Sequence, residues 1–386
     1  MIKAIRACGS LALLTITSLS ITIVHAQADV DMRVVGSAVP FLRISPDTRS
    51  GGMADVGIAT APDANAAFYN NAKAVFAKDK GSIGVNYIPW MKDEGFNDVF
   101  MATVSGYYKP DVNTAFTGSM RYFSLGNIQF VDISGNKLDL YRPREMAFDV
   151  GLAKKLNEKF SVGAALRVIN STLAANQYIG GKTYESATAF AADLSLFYNT
   201  INKQGNGLTA GLALTNLGSK ISYTQDTRQK DYIPANIGLG VAYTKLVDSR
   251  HKLLFGADFN KLLVPTPPDN KAENYVANLE NYYNKSVVTS WFSSFGDAGS
   301  FSNEIKEVNL AGGAEYIYDD MLMIRAGYFF ESKEKGNRQY ATAGAGFKFN
   351  LLTVNFAYLL PTGSGIDRSP LSNTMRFGVT FNAREK

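Results

Sequence analysis

The stretch EMAFDVGLAKKLNEKFSVGAALRV, Glu145–Val168, decides how this chain folds. Met146, Phe148, Val150 and Leu152 fall on one face of an extended segment, and Glu145, Ala147, Asp149 and Gly151 on the other. After Asn157-Glu158 the alternation restarts. Phe160, Val162, Ala164, Leu166 and Val168 now oppose Ser161, Gly163, Ala165 and Arg167. Two period-2 segments around a two-residue break predict a tight hairpin. A third segment, AFAADLSLFY at Ala189–Tyr198, repeats the division between an apolar face and a small or charged one. A soluble sandwich also has an apolar face, so alternation alone leaves both architectures open.

Connection lengths separate them. Fourteen candidate strands lie near 82–91, 98–109, 112–124, 145–156, 159–170, 186–200, 207–217, 235–246, 251–263, 306–318, 321–331, 339–349, 352–360 and 372–382. The links after even-numbered strands are tight, such as PD at 110, NE at 157 and DD at 319. Those after odd-numbered strands are mostly longer, the longest following Val264. Segregation of loop length by side, with an even strand count, predicts a transmembrane β-barrel. Aromatics near strand ends (Tyr107, Tyr108, Tyr122, Phe123 and Tyr328 to Phe330) suggest interfacial girdles. Arg121, Asp149, Arg167 and Asp193 fall on strands three to six with alternating sign, and Glu315 and Arg325 on strands ten and eleven. They read as complementary charges on a solvated lumen wall, with a transport path as the alternative.

The N-terminus reads differently. Lys3 and Arg6 precede the apolar run Leu11–Val24, with small residues at Ala26 and Ala28, the pattern of a secretory signal peptide over 1–26. Its removal takes Cys8, the single cysteine, and His25, one of two histidines. Disulfides, Cys-metal sites and Cys nucleophiles are then excluded. The net charge of +5 falls to +3 with Lys3 and Arg6 gone, too small a surplus to imply nucleic acid. No later apolar run is long enough for a helical span.

Between this signal and the first strand, residues 27–80 include SGGMADVGIATAPDANAAFYNNAKAVF, Ser50–Phe76. Gly51, Gly52 and Gly57 fit no phosphate-loop spacing, and no parallel-sheet pattern follows. The segment reads as a plug for the barrel of residues 81–386. Gly51, Gly52, Asp55, Asp63, Phe68 and Asn70 are its candidate residues, Asp63 capping the turn after Pro62. ANAAFYNNAKAVF reads as one short helix, with Phe68, Val75 and Phe76 packing inward.

These residues carry a family resemblance. RSGGMADVGIATAPDANAAFYNNA resembles the N-terminal motif of the PorV proteins, outer-membrane components of the type IX secretion system within the wider group of FadL-like barrels. The likeness continues through GVNYIPWM, ATVSGYYK, GSMRYFSLGNIQF and YRPREMAFDVGLAKKL. Asn71 departs from the family, where Pro generally follows Asn in an Asn-Pro-Ala turn. The final strand, NTMRFGVTF, with Arg376, Gly378 and Phe381, resembles the C-terminal signal read by barrel-assembly machinery, although Asn382 to Lys386 follow it. The resemblance implies a multi-pass outer-membrane barrel with N- and C-termini periplasmic and no cofactor. It implies a shuttle that takes the C-terminal signal domain of a cargo from the translocon barrel to a sortase-like attachment complex. Two alternatives accompany it: a FadL-like channel for hydrophobic small molecules, and a lipid A O-deacylation factor.

Candidate contacts for such partners lie in the loops. Tyr141, Arg142 and Arg144 follow strand three. In the longest loop Tyr275, Leu279, Tyr282 and Tyr283 suit one helical face, and Trp291, Phe292 and Phe295 cluster in a loop. The alternative is that these aromatics tuck into the barrel mouth and close it. For a hydrolase the sequence offers one mature histidine, His251, beside a short turn, and no Gly-x-Ser-x-Gly elbow. The sequence therefore favours a binding protein over an enzyme.

Overall fold

The computed structural model describes residues 34–91, 95–131, 135–179, 181–225, 230–362 and 373–383. The signal peptide expected over 1–26 lies outside the described residues. Fourteen antiparallel strands close on themselves, each bonded to the next and the last to the first. They are β1 Gly81–Pro89, β2 Val99–Asp111, β3 Thr114–Leu125, β4 Arg144–Lys155, β5 Phe160–Thr172, β6 Ala187–Asn199 and β7 Gly207–Gly218. The others are β8 Asn236–Leu246, β9 His251–Leu262, β10 Val308–Tyr318, β11 Leu322–Phe330, β12 Gln339–Phe349, β13 Leu352–Pro361 and β14 Met375–Ala383. Closure runs from Gly81↔Ala383 to Tyr87↔Phe377, so the sheet has no open edge. One rim carries the tight turns and the other the long loops, as the spacing predicts. Below, these are the turn rim and the loop rim.

The strand faces follow the period-2 reading. Val150 is 68% exposed and its neighbour Asp149 4%. The aromatic belts need one correction. Tyr108, Tyr122, Tyr328 and Phe330 face outward, but Tyr107, Phe123 and Phe329 point in and are buried. Adjacent residues of a strand cannot share a face, so each aromatic pair splits. The inward members make a core: Phe123 stacks on Phe41 and meets Trp90 edge-on, and Phe329 stacks on Tyr340.

Residues 35–77 run through this core. Val39, Phe41 and Leu42 pack with Ile88, Val99, Ile169 and Ile233 near the loop rim. Met53 and Val56 pack with Leu254, Ala311 and Leu359 farther in. Ala74, Val75 and Ala77 pack with Tyr107, Ala115 and Ala153 near the turn rim. The chain thus descends from loop rim to turn rim before entering β1.

The single helix expected from ANAAFYNNAKAVF is instead two 3-10 turns, Ala64–Phe68 and Asn71–Phe76. Asn70 breaks the run. Its backbone is extended, and its side-chain oxygen accepts from Ala72 N, a local bond that competes with helix continuation.

The close approach of this segment to the wall depends on glycine. Gly313 and Gly327 are cross-strand partners on β10 and β11. A Cβ on Gly327 would lie 2.4 Å from the Met53 carbonyl carbon, and one on Gly313 2.6 Å from the Met53 oxygen. The next residues, Ala54 and Asp55, have φ of 54° and 72°, so the chain turns there in the left-handed region. Gly327→Val should therefore destabilise the native state by about 1–3 kcal/mol, the usual range for overpacking. The barrel should still show its heat-dependent shift on SDS gels, while the urea midpoint falls. An unchanged midpoint would mean that the segment can move away from the wall without loss.

Candidate functional site

Polar groups on the inner segment meet polar groups on the wall at many points. The Asp55 carboxylate accepts from the Tyr340 hydroxyl at 2.6 Å and from Arg376 Nη1 at 2.9 Å. Arg49 binds Glu315 through two nitrogens, at 3.2 and 2.8 Å, and Asp63 at 2.9 Å. Arg325 closes on the same Glu315 at 2.7 Å and reaches Asn355 at 2.9 Å. From β9, Asp258 accepts Gly57 N and Ile58 N at 2.7 and 2.9 Å. Asp258, Glu315, Arg325 and Arg376 are buried and Arg49, Asp55 and Asp63 half-buried, and a buried charge left without a partner is strongly destabilising.

The candidate residues of this segment divide by role. Gly51 and Gly52 give clearance: a Cβ at Gly51 would meet Arg376 at 2.2 Å, and one at Gly52 the Gly344 Cα at 3.2 Å. Asp63 caps the turn after it by accepting from Asn65 N, and also holds Arg49. The Phe68 ring lies under the Arg121 guanidinium at 4.8 Å. Asn70 donates to Leu196 O at 2.9 Å. Asn71 accepts from Thr117 Oγ1 at 2.7 Å, a hydroxyl of the wall.

Sequence reasoning missed Arg49, Asp47, Tyr69 and Lys73. Tyr69 donates to Asp47 at 2.6 Å, and Lys73 donates to Gly57 O at 2.6 Å and Thr60 Oγ1 at 3.2 Å. Burial pushes the Lys73 ammonium below its ordinary pKa. The available signal was charge inside an otherwise small and apolar stretch, which marks a buried partner without naming it.

The wall charges pair partly as expected. Arg167 binds Asp149 and, at 2.8 Å, Asp193, and it also donates to Asn216. Arg121 does not join them. Its cross-strand partner is Ala147, while Asp149 lies opposite Ser119 and accepts that hydroxyl at 2.7 Å. Arg121 turns to the inner segment and donates to Leu42 O at 3.1 Å.

A single helical turn, α1 Thr48–Gly51, lies in the inner segment, and at the loop rim the long β9–β10 connection folds into α2 Tyr275–Asn284, α3 Val287–Ser293 and α4 Phe301–Lys306. Tyr275, Leu279, Tyr282 and Tyr283 share the half-buried face of α2. Tyr282 packs edge-on against Tyr232 in a cluster with Val35 and Val264. Trp291 and Phe292 lie on α3 and not in an irregular loop, because Ser286 caps it by accepting from Thr289 N. The helix then separates them: Trp291 is half-buried, Phe292 is 75% exposed and Phe295 53%. Val288, one turn before Phe292 on α3, and Phe301 of α4, 81% exposed, are exposed apolar side chains as well. The α4 end is pinned to the wall, where Lys261 binds Glu304 at 3.0 Å and Glu307 at 2.6 Å. Asp297, Glu304 and Glu307 cluster closely, but Lys261, Lys335 and Thr266 occupy their oxygens. Burial alone would raise the Glu307 pKa, and the hydrogen bonds and charges of Lys261 and Lys335 hold it below the ordinary range.

The remaining candidates lie elsewhere. Tyr141 OH accepts from Ala175 N at 2.7 Å, while Arg142 and Arg144 are exposed. His251 sits by a tight turn, bonded through Nδ1 to Tyr316 OH at 2.6 Å and stacked on that ring, with the Tyr318 ring tilted 5.1 Å away.

Two cavities lie on opposite sides of the inner segment and share no lining residue. One, about 140 Å³, includes Arg43, Tyr69, Arg121, Asp258 and Arg338. The other, about 500 Å³, includes Arg49, Asp63, Lys203, Lys348 and Asn382 toward the turn rim.

The family model described as "Type IX secretion system protein PorV" matches residues 27–269. This chain belongs to that family and is an outer-membrane β-barrel of type IX secretion. No curated protein matches the chain. Among solved structures it is similar to the toluene transporter TbuX of Ralstonia pickettii, at 11% identity and TM-score 0.55, covering 88% of this chain and 98% of that one. It is also similar to the monoaromatic hydrocarbon channel CymD, at 12% identity and TM-score 0.53, covering 88% and 98%. At such identities the likeness is one of fold.

The Arg167 cluster gives a direct test of charge compensation in the wall. Arg167→Met leaves two buried carboxylates without their cation and should cost about 3–5 kcal/mol. Adding Asp149→Asn and Asp193→Asn should restore most of the loss, read as the denaturation midpoint in detergent. If the single variant melts like the parent, the cluster contributes nothing.

Proposed function

We propose that this PorV-family chain is a non-enzymatic shuttle, gripping the C-terminal signal domain of a cargo at its loop rim and delivering it from the translocon to a sortase-like attachment complex. The observation that carries this reading is the outer face of α3 and α4. Val288 and Phe292 on α3, Phe295 just after it and Phe301 on α4 are all exposed, and the α4 end is anchored to the rim by Lys261. Exposed aromatics of this kind are favoured anchors in protein interfaces. Tyr282 serves a different purpose, packing with Tyr232, Val35 and Val264 at the rim, and Trp291 is half-buried.

Channel function is the less supported reading. Conduction of a hydrophobic compound needs an apolar route. Here residues 35–77 act as a plug, tied to the wall through Asp55 and Arg49. The cavities on its two sides are separate and lined with charges. Catalysis at His251 has little support, since its ring pairs with Tyr316 and its nearest acid, Asp248, is 4.0 Å away.

In the membrane, we place the loop rim outside and the turn rim, with the C-terminal strand end, in the periplasm. Val35 packs with the loop-rim cluster, so, in contrast to the periplasmic N-terminus that the resemblance implies, we place the start of the described chain at the outer rim.

Two outcomes are expected. Phe292→Ser combined with Phe301→Ser should insert and keep its heat-dependent gel shift, yet release cargo signal domain. Burial of each ring is worth about 1.5–3 kcal/mol at a well-packed interface. Parental capture in pull-downs would remove this face from the binding site. For topology, Phe96→Cys should react with an impermeant maleimide on whole cells and Glu158→Cys should not. The reverse pattern would invert the placement.

A further inference from the structure

Within the fourteen barrel strands Glu145, Asp149, Asp193, Asp258 and Glu315 are buried on the inner face, and Asp111 is exposed at the turn-rim end of β2. Arginine is treated differently. Arg144 begins β4 on the outward face, two residues from Arg142, and both are exposed. Neither guanidinium has an ion pair among the described residues. Both line an open groove of about 540 Å³ on the outside of the loop rim, with Phe100, Tyr122, Ser124 and Asn127. The one acid in the groove, Asp98, accepts from the Asn127 backbone amide at 2.8 Å and from its side chain.

Directly toward the membrane the surface becomes apolar and aromatic. Arg144 pairs across the strands with Ser124, and Met146 with Tyr122 one step farther in. The Tyr122 and Phe100 rings lie 5.9 Å apart, and Phe100 and Tyr87 5.5 Å. Two cations stand at the head of this stripe, at the level where a bilayer places its headgroups.

We propose that Arg142 and Arg144 hold the phosphate of a membrane-lipid headgroup, with the acyl chains lying along Tyr122, Met146 and Phe148. A guanidinium is weakly hydrated and offers forked donors that fit two phosphate oxygens. An arginine beside hydrocarbon also needs a counter-charge at the interface. The occupant is a lipid and not a soluble anion because the groove opens onto the outer wall, continuous with the apolar stripe. This site is separate from the α3–α4 face and stands whether or not that face binds cargo.

The test is native mass spectrometry of the full chain in mild detergent, titrated with short-chain phosphatidylglycerol and, in parallel, with uncharged diacylglycerol. The parent should retain phosphatidylglycerol. Arg142→Gln with Arg144→Gln should lose roughly ten-fold or more of that uptake, the effect of removing charge-assisted hydrogen bonds. Arg142→Lys with Arg144→Lys should recover part of it, which ties the loss to charge and not to misfolding. Diacylglycerol uptake should not respond to either change. Equal phosphatidylglycerol uptake by parent and Gln variant would overturn the proposal. So would complete displacement by millimolar inorganic phosphate, which would make this a free-anion site. A protein partner whose capture needs both arginines while lipid uptake does not would overturn it as well.

Discussion

Everything in this molecule depends on a backbone constraint: a bilayer offers nothing to hydrogen-bond an open strand edge. The register from Gly81↔Ala383 to Tyr87↔Phe377 meets it by joining the first strand to the last. Closure in turn forces alternation, since every second side chain must face a lumen sealed from lipid. The interior inherits whatever the apolar face cannot hold, including Arg121, Asp149, Arg167, Asp193, Asp258, Glu315, Arg325 and Arg376, all buried.

Such an interior can be solvated by water or matched by protein. Here much of the matching is done by protein. Arg167 bridges Asp149 and Asp193 within the wall. Glu315 is shared between Arg325 of the wall and Arg49 of the inner segment, and Arg376 closes on Asp55. Because buried ion pairs gain little over apolar packing yet are costly to break, their effect is to fix one arrangement. The glycine platform at Gly313 and Gly327 acts in the same direction through shape, admitting the Met53 backbone where a Cβ would exclude it.

How much of this was legible follows from the range of each signal. Strand positions were readable because alternation and turn length are local. Met146 to Leu152 against Glu145 to Gly151 needs no knowledge of neighbours. Pairing was readable only where register is the whole story. Arg121 shows the limit: two residues of offset set it opposite Ala147 and not Asp149, and its oxygen partner comes from Leu42, far off in sequence. The break at Asn70 was hidden by good helix formers on both sides, because the deciding bond is the asparagine's own, to Ala72 N. In the longest loop the aromatics were correctly singled out, but only the helix formed after Ser286 divides half-buried Trp291 from exposed Phe292.

The comparison with hydrocarbon channels of the same fold turns on the lumen and not the wall. A barrel conserves little sequence to remain a barrel, so 11% identity is compatible with the same closed architecture. What distinguishes one such barrel from another is the chemistry that fills the interior and crowns the rim. An apolar solute crossing this lumen would have to pass Arg49, Asp63 and Glu315, which are engaged with one another, or break those bonds to open a path. At the rim no comparable obstacle exists, because Phe292 and Phe301 already stand in solvent, and covering them releases water without breaking an internal contact. The free-energy slope therefore favours association at the rim over passage through the lumen.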